Sequence, residues 1–248
     1  MRALYLAISL VIYAIFFATF LYLVGFVGNL AGLPLTVDKG GPVGSVTSAV
    51  ITDVVLISIF GIQHSVMARQ GFKRAWTRTV PPPIERSVYV LFASAALIIL
   101  FSFWRPIGGV VWDVTNPTAQ MILWALFLAG WGIVLLSTFL INHFELFGLQ
   151  QAWLYLQGRE AAPHVFRQPL LYKWVRHPLY AGFFLAFWST PHMSYGHMLL
   201  SVGMSIYMLI AISYEEKDLI SYFGREYEEY RGRVGMLLPG IGRRTPPA

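Results

Sequence analysis

The chain has no cysteine and few charged residues, and each shortage removes a class of protein. Without cysteine there is no disulfide framework, no thiolate metal site and no cysteine nucleophile. Only 12% of the 248 residues are charged, while 56% are hydrophobic and the mean hydropathy is +0.60. Soluble domains carry about 25% charged residues, and half that proportion cannot clothe a globule of this length. Charge is also absent in blocks: Ala3–Val37, Ser87–Trp104, Val114–Phe144 and Pro178–Tyr214 have none, with histidine counted as neutral. A pI near 9.6 and a net charge of +6 would suit a nucleic-acid binder, but that role needs cations gathered on one solvated face. Here they lie in the gaps between apolar runs. No nucleic acid is expected; the expected partner is a lipid bilayer, whose midplane excludes charge. No metal is expected either, since there is no H-E-x-x-H run and the histidines are scattered among the apolar segments.

What remains reads as an all-α integral membrane protein with about five to six transmembrane helices. A crossing takes about 20 apolar residues. The first is placed at about 3–28, and its apolar run exceeds the roughly 7–15 residue core of a signal peptide, so it is read as a retained anchor. The second runs from about 46 to 67, the third from 87 to 104 and the fourth from 118 to 144. In the fourth, Gly130 and Gly132 would let another helix approach closely. The stretch Pro178–Tyr214 is too long for one crossing and is broken by Ser189-Thr190-Pro191-His192. It is read as a helical hairpin with arms at about 179–190 and 197–214, the first one short.

Lysine and arginine set the orientation. The 69–86 loop, the 145–177 segment, the tail and Arg2 hold all but two of the 18 basic residues; only Lys39 and Arg105 lie opposite. Both termini are therefore expected in the cytoplasm. In that topology the misplaced polar residues share one membrane face. Gln63 and His64 end the second span, Asn142, His143 and Glu145 end the fourth, Arg176-His177 precedes the hairpin and Glu215-Glu216 follows it. Helix ends tolerate such residues anyway, but convergence of four distant segments favours a site. Asp53 reads as an outer-interface residue, and His192 and His197 as turn residues.

The run Arg176-His177-Pro178-Leu179-Tyr180, then Glu215-Glu216-x-x-Leu219, then Phe223-Gly224-x-Glu226-Tyr227-x-x-Tyr230-Arg231 resembles the isoprenylcysteine carboxyl methyltransferase superfamily. Ile62-Gln63-His64-Ser65-Val66-Met67-Ala68-Arg69, Glu85-Arg86-Ser87-x-Tyr89 and Asn142-His143-Phe144-Glu145-Leu146-Phe147-Gly148-Leu149 are similar to its nurim-like branch, and within it to bacterial methanethiol S-methyltransferases. The resemblance implies one membrane methyltransferase domain over 1–248, with a four-helix part (1–144) and a cofactor-binding part (145–248). It implies S-adenosylmethionine as cofactor at the cytoplasmic face of a multi-pass protein of the bacterial inner membrane. It also implies cofactor contacts at Gln157, His164, Val165, Phe166, Arg167, Tyr172, Arg176, His177, Pro178, Leu179, Tyr180, Glu215 and Glu216. Methyl transfer to a small thiol, methanethiol giving dimethyl sulfide, is the activity implied. The prenylcysteine enzymes carry a cation about one turn before the Glu pair; Met208–Tyr214 has none, which suits a neutral thiol. Another methyl acceptor, such as a prenylcysteine or a phospholipid amine, and a non-catalytic nurim-like role stay open.

The chemistry is compatible. An aromatic pocket with Tyr172, Trp174, Tyr180 and Tyr214 nearby can stack a nucleobase and attract a sulfonium, and carboxylates bind ribose hydroxyls or an ammonium. A thiol, with a pKa of about 8.5 or more, needs a base; His64, His143 and Glu145 are the candidates, with Asn142 one turn before Glu145 if that helix continues.

Overall fold

Short polar signals start the helices. Ser45 caps α2 (Val46–Met67) by accepting from the Ser48 amide, and Asn116 caps α5 (Pro117–Ile141) by accepting from the Ala119 amide. Pro82 and Pro117 occupy first-turn positions, where the missing N–H costs nothing. α4 (Pro82–Phe103) therefore starts at the proline run, a few residues earlier than the charge pattern suggested. The structure is a computed structural model and describes residues 1–42, 44–161 and 165–243.

Among the described residues, five helices are long and apolar enough to cross a membrane: α1 (Arg2–Val27), α2, α4, α5 and α9 (Tyr195–Phe223). Their outer positions, among them Val11, Leu21, Ile51, Ile62, Leu128 and Ile206, leave large apolar side chains exposed. In water such surfaces would aggregate; hydrocarbon is their solvent, and helices satisfy their own backbone groups there. The protein is a multi-pass integral membrane protein. The short hairpin arm is α8 (Pro178–Trp188), whose 11 residues rise about 16 Å, roughly half of a 30 Å hydrocarbon core.

The chain forms two compact units. The first comprises Met1–Asp113, Phe144–Ala162 and His192–Met204. In it α1 packs on α4, α4 on α2, the short α3 (Gln70–Trp76) follows against α2, and α7 (Leu149–Gln157) lies against α1 and α4. Gly148 permits this: its φ is +90°, and a Cβ there would stand 2.4 Å from Ser87 Oγ. Asp53 is fully buried within the protein; its carboxylate accepts from the Arg105 amide at 2.9 Å, while Arg105 donates to Ser48. One element was not foreseen. Val110–Asp113 (β1) pairs antiparallel with His192–Ser194 (β2) in a two-stranded sheet. Strands of three and four residues are too short to announce themselves by alternation.

The second unit comprises Val114–His143, Pro163–Pro191 and Ser205–Ala248. α5 and α8 touch backbone to backbone. A Cβ on Gly130 would lie 2.6 Å from Ala186 N, and one on Gly182 2.7 Å from Gly130 O, whereas Gly132 faces open space. α5 stops at Ile141, because Asn142 is extended at φ 176°, ψ 91°. The helix does not run on to Phe144, so Asn142 and Glu145 do not share a helical face; a separate turn, α6 (His143–Leu146), follows. At the other end α9 continues through Glu215-Glu216 to Phe223, followed by α10 (Arg225–Arg233).

Candidate active site

In the second unit the chain turns just before α8, with Pro178 in its first turn and His177 at the N-cap. That places Arg176 and His177 against Glu216 of α9, 40 and 39 residues away in sequence. Arg176 Nε donates to Glu216 Oε1 at 2.8 Å, and His177 Nε2 lies 3.3 Å from the same oxygen. Glu216 Oε2 is 3.4 Å from Arg231 Nε of α10. All three central residues are buried, at 3–4% exposure. A charge taken out of water at this cost persists only when paired and hydrogen-bonded; here two cations and an imidazole surround one carboxylate.

The neighbouring glutamate is placed differently. Glu215 has a side chain 44% exposed, and its carboxylate stands 4.0 Å from His177 Nδ1. Tyr180 meets the His177 ring edge-on at 5.8 Å. Phe166 packs among Phe223, Tyr227 and Tyr230, and Tyr230 donates its hydroxyl to the Tyr172 carbonyl at 2.5 Å. Burial first, with the Glu215 carboxylate next for Tyr172, raises the pKa of the Tyr172, Tyr227 and Tyr230 phenols, which therefore stay protonated donors. The Tyr227 hydroxyl is buried and finds no hydrogen-bond partner among the described residues.

Not every residue of the sequence reading joins this group. Phe166, Tyr172, Arg176, His177, Pro178, Leu179, Tyr180, Glu215 and Glu216 all belong to the second unit. Val165 and Arg167 belong to it too but are exposed, and Trp174 and Tyr214, considered for an aromatic pocket, are 68% and 45% exposed. Gln157 ends α7 in the first unit, exposed. His164 lies outside the described residues.

The base candidates divide between the units. His143 and Asn142 fall in the second, and His143 is 3% exposed with its ring stacked on Phe139 at 4.1 Å. Thr138 Oγ1 is 2.7 Å from His143 Nδ1, and also donates to the Leu135 carbonyl at 2.7 Å. A hydroxyl has one proton. With that proton on Leu135, Nδ1 must carry the hydrogen and Nε2 the basic lone pair. Burial lowers the His143 pKa, so the ring is neutral at physiological pH.

His64 and Glu145 belong to the first unit. His64 Nε2 lies 2.9 Å from the Tyr89 hydroxyl, the Arg86 guanidinium sits 4.7 Å from the Tyr89 ring centroid, and Arg86 Nε donates to the Leu146 carbonyl at 2.7 Å. Gln151 holds the Glu145 carbonyl at 3.0 Å. Three motifs far apart in sequence are thereby joined in one unit. Tyr89 and Arg86 had no role in the sequence reading. Their signal was available, since Glu85-Arg86-Ser87-x-Tyr89 places both on one helical face at i, i+3.

No family model and no solved structure matches the chain. Among characterised proteins, it is 51% identical over 235 residues to a methanethiol S-methyltransferase of Mycobacterium tuberculosis, covering 94% of this chain and 95% of that protein. A methanethiol S-methyltransferase of Crocosphaera subtropica is 50% identical over 233 residues, covering 94% and 91% respectively. A more distant relative is nurim of Danio rerio, 29% identical over 184 residues, 71% of this chain and 66% of nurim. Identity of one residue in two along nearly the whole length of both partners means that the chain belongs to the methanethiol S-methyltransferase family.

Proposed function

We propose that the protein transfers a methyl group from S-adenosylmethionine to methanethiol, giving dimethyl sulfide. The observation that carries the reading is the Arg176–His177–Glu216 cluster with Glu215 at its edge, in a chain about half identical to methanethiol S-methyltransferases. Bound at this cluster, S-adenosylmethionine would supply an electrophilic methyl group on a sulfonium cation.

The donor set fits such a molecule. Glu215 is the carboxylate with solvent access, suited to accept from ribose hydroxyls or an ammonium in charge-assisted bonds. Tyr172 and Tyr180 supply neutral aromatic rings for stacking or for a cation, each contact worth about 0.5–2 kcal/mol. The buried Tyr227 hydroxyl supplies a donor in need of an acceptor. Glu216 and Arg176 satisfy each other and serve as the frame.

The thiol needs a base because its own pKa is about 8.5 or more. His143 suits the role: it is neutral, and its tautomer leaves Nε2 basic. As the thiol S–H bond breaks, the proton goes to Nε2 and the sulfur pair forms the new S–C bond, while the methyl–sulfonium bond breaks with its pair left on the donor sulfur of the departing thioether, S-adenosylhomocysteine. His64, held by Tyr89, and Glu145 are the alternatives. Thiolate attack on a sulfonium annihilates two charges, which a dry site favours. Methanethiol and dimethyl sulfide both partition into lipid, a physical reason for building the site in a membrane. Purified protein with S-adenosylmethionine is expected to methylate methanethiol and other small thiols, but not a prenylcysteine or a phospholipid amine. Product from either of the last two alone, or from none, would overturn the substrate assignment.

The basic loops favour an orientation with both termini, and the donor site with them, in the cytoplasm. Cysteines introduced at Gly32, where a side chain meets nothing within 4 Å, and at the exposed Glu226 are expected to label from opposite sides of the membrane. Labelling from one side would overturn this orientation.

A further inference from the structure

We infer that the segment from Val234 to Gly242 is a strap that sets the geometry of the methyl-donor site, and that Arg176 is its clasp. The inference rests on the reading of the second unit as the donor site. It gives Arg176 a positioning role, acting through the strap and Glu216 and not on the donor itself.

The strap runs alongside the residues that precede α8. Val175 and Gly235 form a parallel bridge, the Arg176 amide donates to the Gly235 carbonyl at 2.8 Å, and the His177 amide donates to the Met236 carbonyl at 3.1 Å. The strap also closes on itself, Met236 N donating to Ile241 O at 2.7 Å and Ile241 N to Leu238 O at 3.1 Å. Gly235 is the tightest point. A Cβ there would stand 2.0 Å from the Leu238 carbonyl and 2.7 Å from Gly240 N, so no other residue fits without opening the turn.

The Arg176 side chain adds the second set of ties. Nη1 donates to the carbonyls of Arg231 and Val234, Nη2 to that of Gly242 at 3.1 Å, and Nε to Glu216. One buried guanidinium thus spends its fork on three tail carbonyls and one carboxylate. A ligand reaching for Arg176 would have to displace one of these bonds, at a side chain with no exposed surface. What the strap controls is the position of its neighbours. His177 is held through its backbone by Met236, and Glu216 through its carboxylate by Arg176; these two groups lie 3.3 Å apart at the centre of the cluster. Lysine in place of Arg176 offers a point charge, not a fork, and cannot hold the same four acceptors.

Coupling of this kind is reciprocal: if the strap improves donor binding, the donor must steady the strap by the same factor. The test uses S-adenosylhomocysteine, the demethylated product, as probe. In the intact protein, saturating probe is expected to slow hydrogen exchange at the amides of Arg176, His177, Met236 and Ile241, with Leu126–Gly130 of α5 as the unaffected reference. Calorimetry on Gly235→Ala and on the chain truncated after Arg233 is expected to give affinity at least about 10-fold weaker, with Arg176→Lys in between. Unchanged exchange in the intact protein would overturn the strap, even if the truncated chain fails to fold. So would equal affinity in Gly235→Ala. No probe binding to the intact protein would instead overturn the donor-site reading on which the inference rests.

Discussion

His143→Ala is expected to lower the turnover number at neutral pH by at least about 100-fold while leaving donor affinity unchanged; a positioned general base is typically worth 10²–10⁴-fold. His143 is buried, burial lowers its pKa, and Thr138 favours the tautomer with the hydrogen on Nδ1 and the basic lone pair on Nε2. Two pH effects follow from that placement. With His143 as the base, wild-type activity is expected to depend on the unprotonated ring, and burial depresses its pKa below the ordinary histidine value of about 6.5. The acid limb of the turnover profile therefore falls below pH 6.5, and activity at pH 7 sits on the plateau. In the variant, raising the pH toward the pKa of the thiol restores part of the rate, because thiolate then forms without help. Thr138→Val, which removes the tautomer lock but keeps the shape, is expected to fall between the two. His64→Ala and Glu145→Ala serve as comparisons; a large loss in either, with His143→Ala near normal, moves the base to the first unit. Near-normal turnover in all three would leave proximity and desolvation as the catalytic terms.

The two adjacent glutamates are expected to fail in opposite ways. Glu216→Ala strips the buried Arg176 guanidinium of its counter-charge, and breaking a buried pair from one side costs about 3–5 kcal/mol. For a chain of this size that loss lowers the unfolding midpoint by on the order of 10 °C, and donor binding goes with the collapsed cluster. Glu216→Gln keeps an acceptor for Arg176 Nε and is expected to recover part of the midpoint. Glu215→Ala removes a carboxylate with access to solvent, so the midpoint is expected to stay within about 1 °C to 2 °C of the wild type, surface changes of this kind costing little. Donor affinity alone should fall. Thermal unfolding in detergent and calorimetry on both variants make the comparison. A stable Glu216→Ala that binds normally, or a Glu215→Ala that binds normally, would reverse the division of labour.

The helices were legible because their signal is large and local. A charge-free run of about 20 residues has few uses other than crossing a membrane, and four of the five long helices start or stop within a few residues of the nearest charge, cap or proline. The fifth, α9, overran its expected end. Glu215 and Glu216 broke the uncharged run, but a helix is ended by its caps and not by charge, and the next glycine is Gly224. The opposite error occurred at Asn142, where an apolar run continued but the backbone turned extended.

The motif spacing also carried real information. Arg176, His177 and Glu216 were grouped from sequence, and they meet in space. Sequence alone could not say which of two adjacent glutamates is buried, because that depends on the rotation of α9 against Arg176. Nor could it find the strap, whose ties run through backbone carbonyls that any residue would offer. Its sequence trace is three glycines, Gly235 at its tightest point and Gly240 and Gly242 at positive φ, among the 22 of the chain.

Composition and charge pattern by themselves determined that this protein lives in a bilayer and roughly where its long helices run, since hydrocarbon penalises each misplaced charge independently of the rest of the fold. Only the tertiary structure decided that Arg176 is spent on the tail, that Glu215 keeps its access to solvent, and that Tyr89 and Arg86 stand beside His64. Those are questions of which hydrogen-bond partner a side chain finds, and partners are supplied by segments tens of residues away whose approach is set by packing.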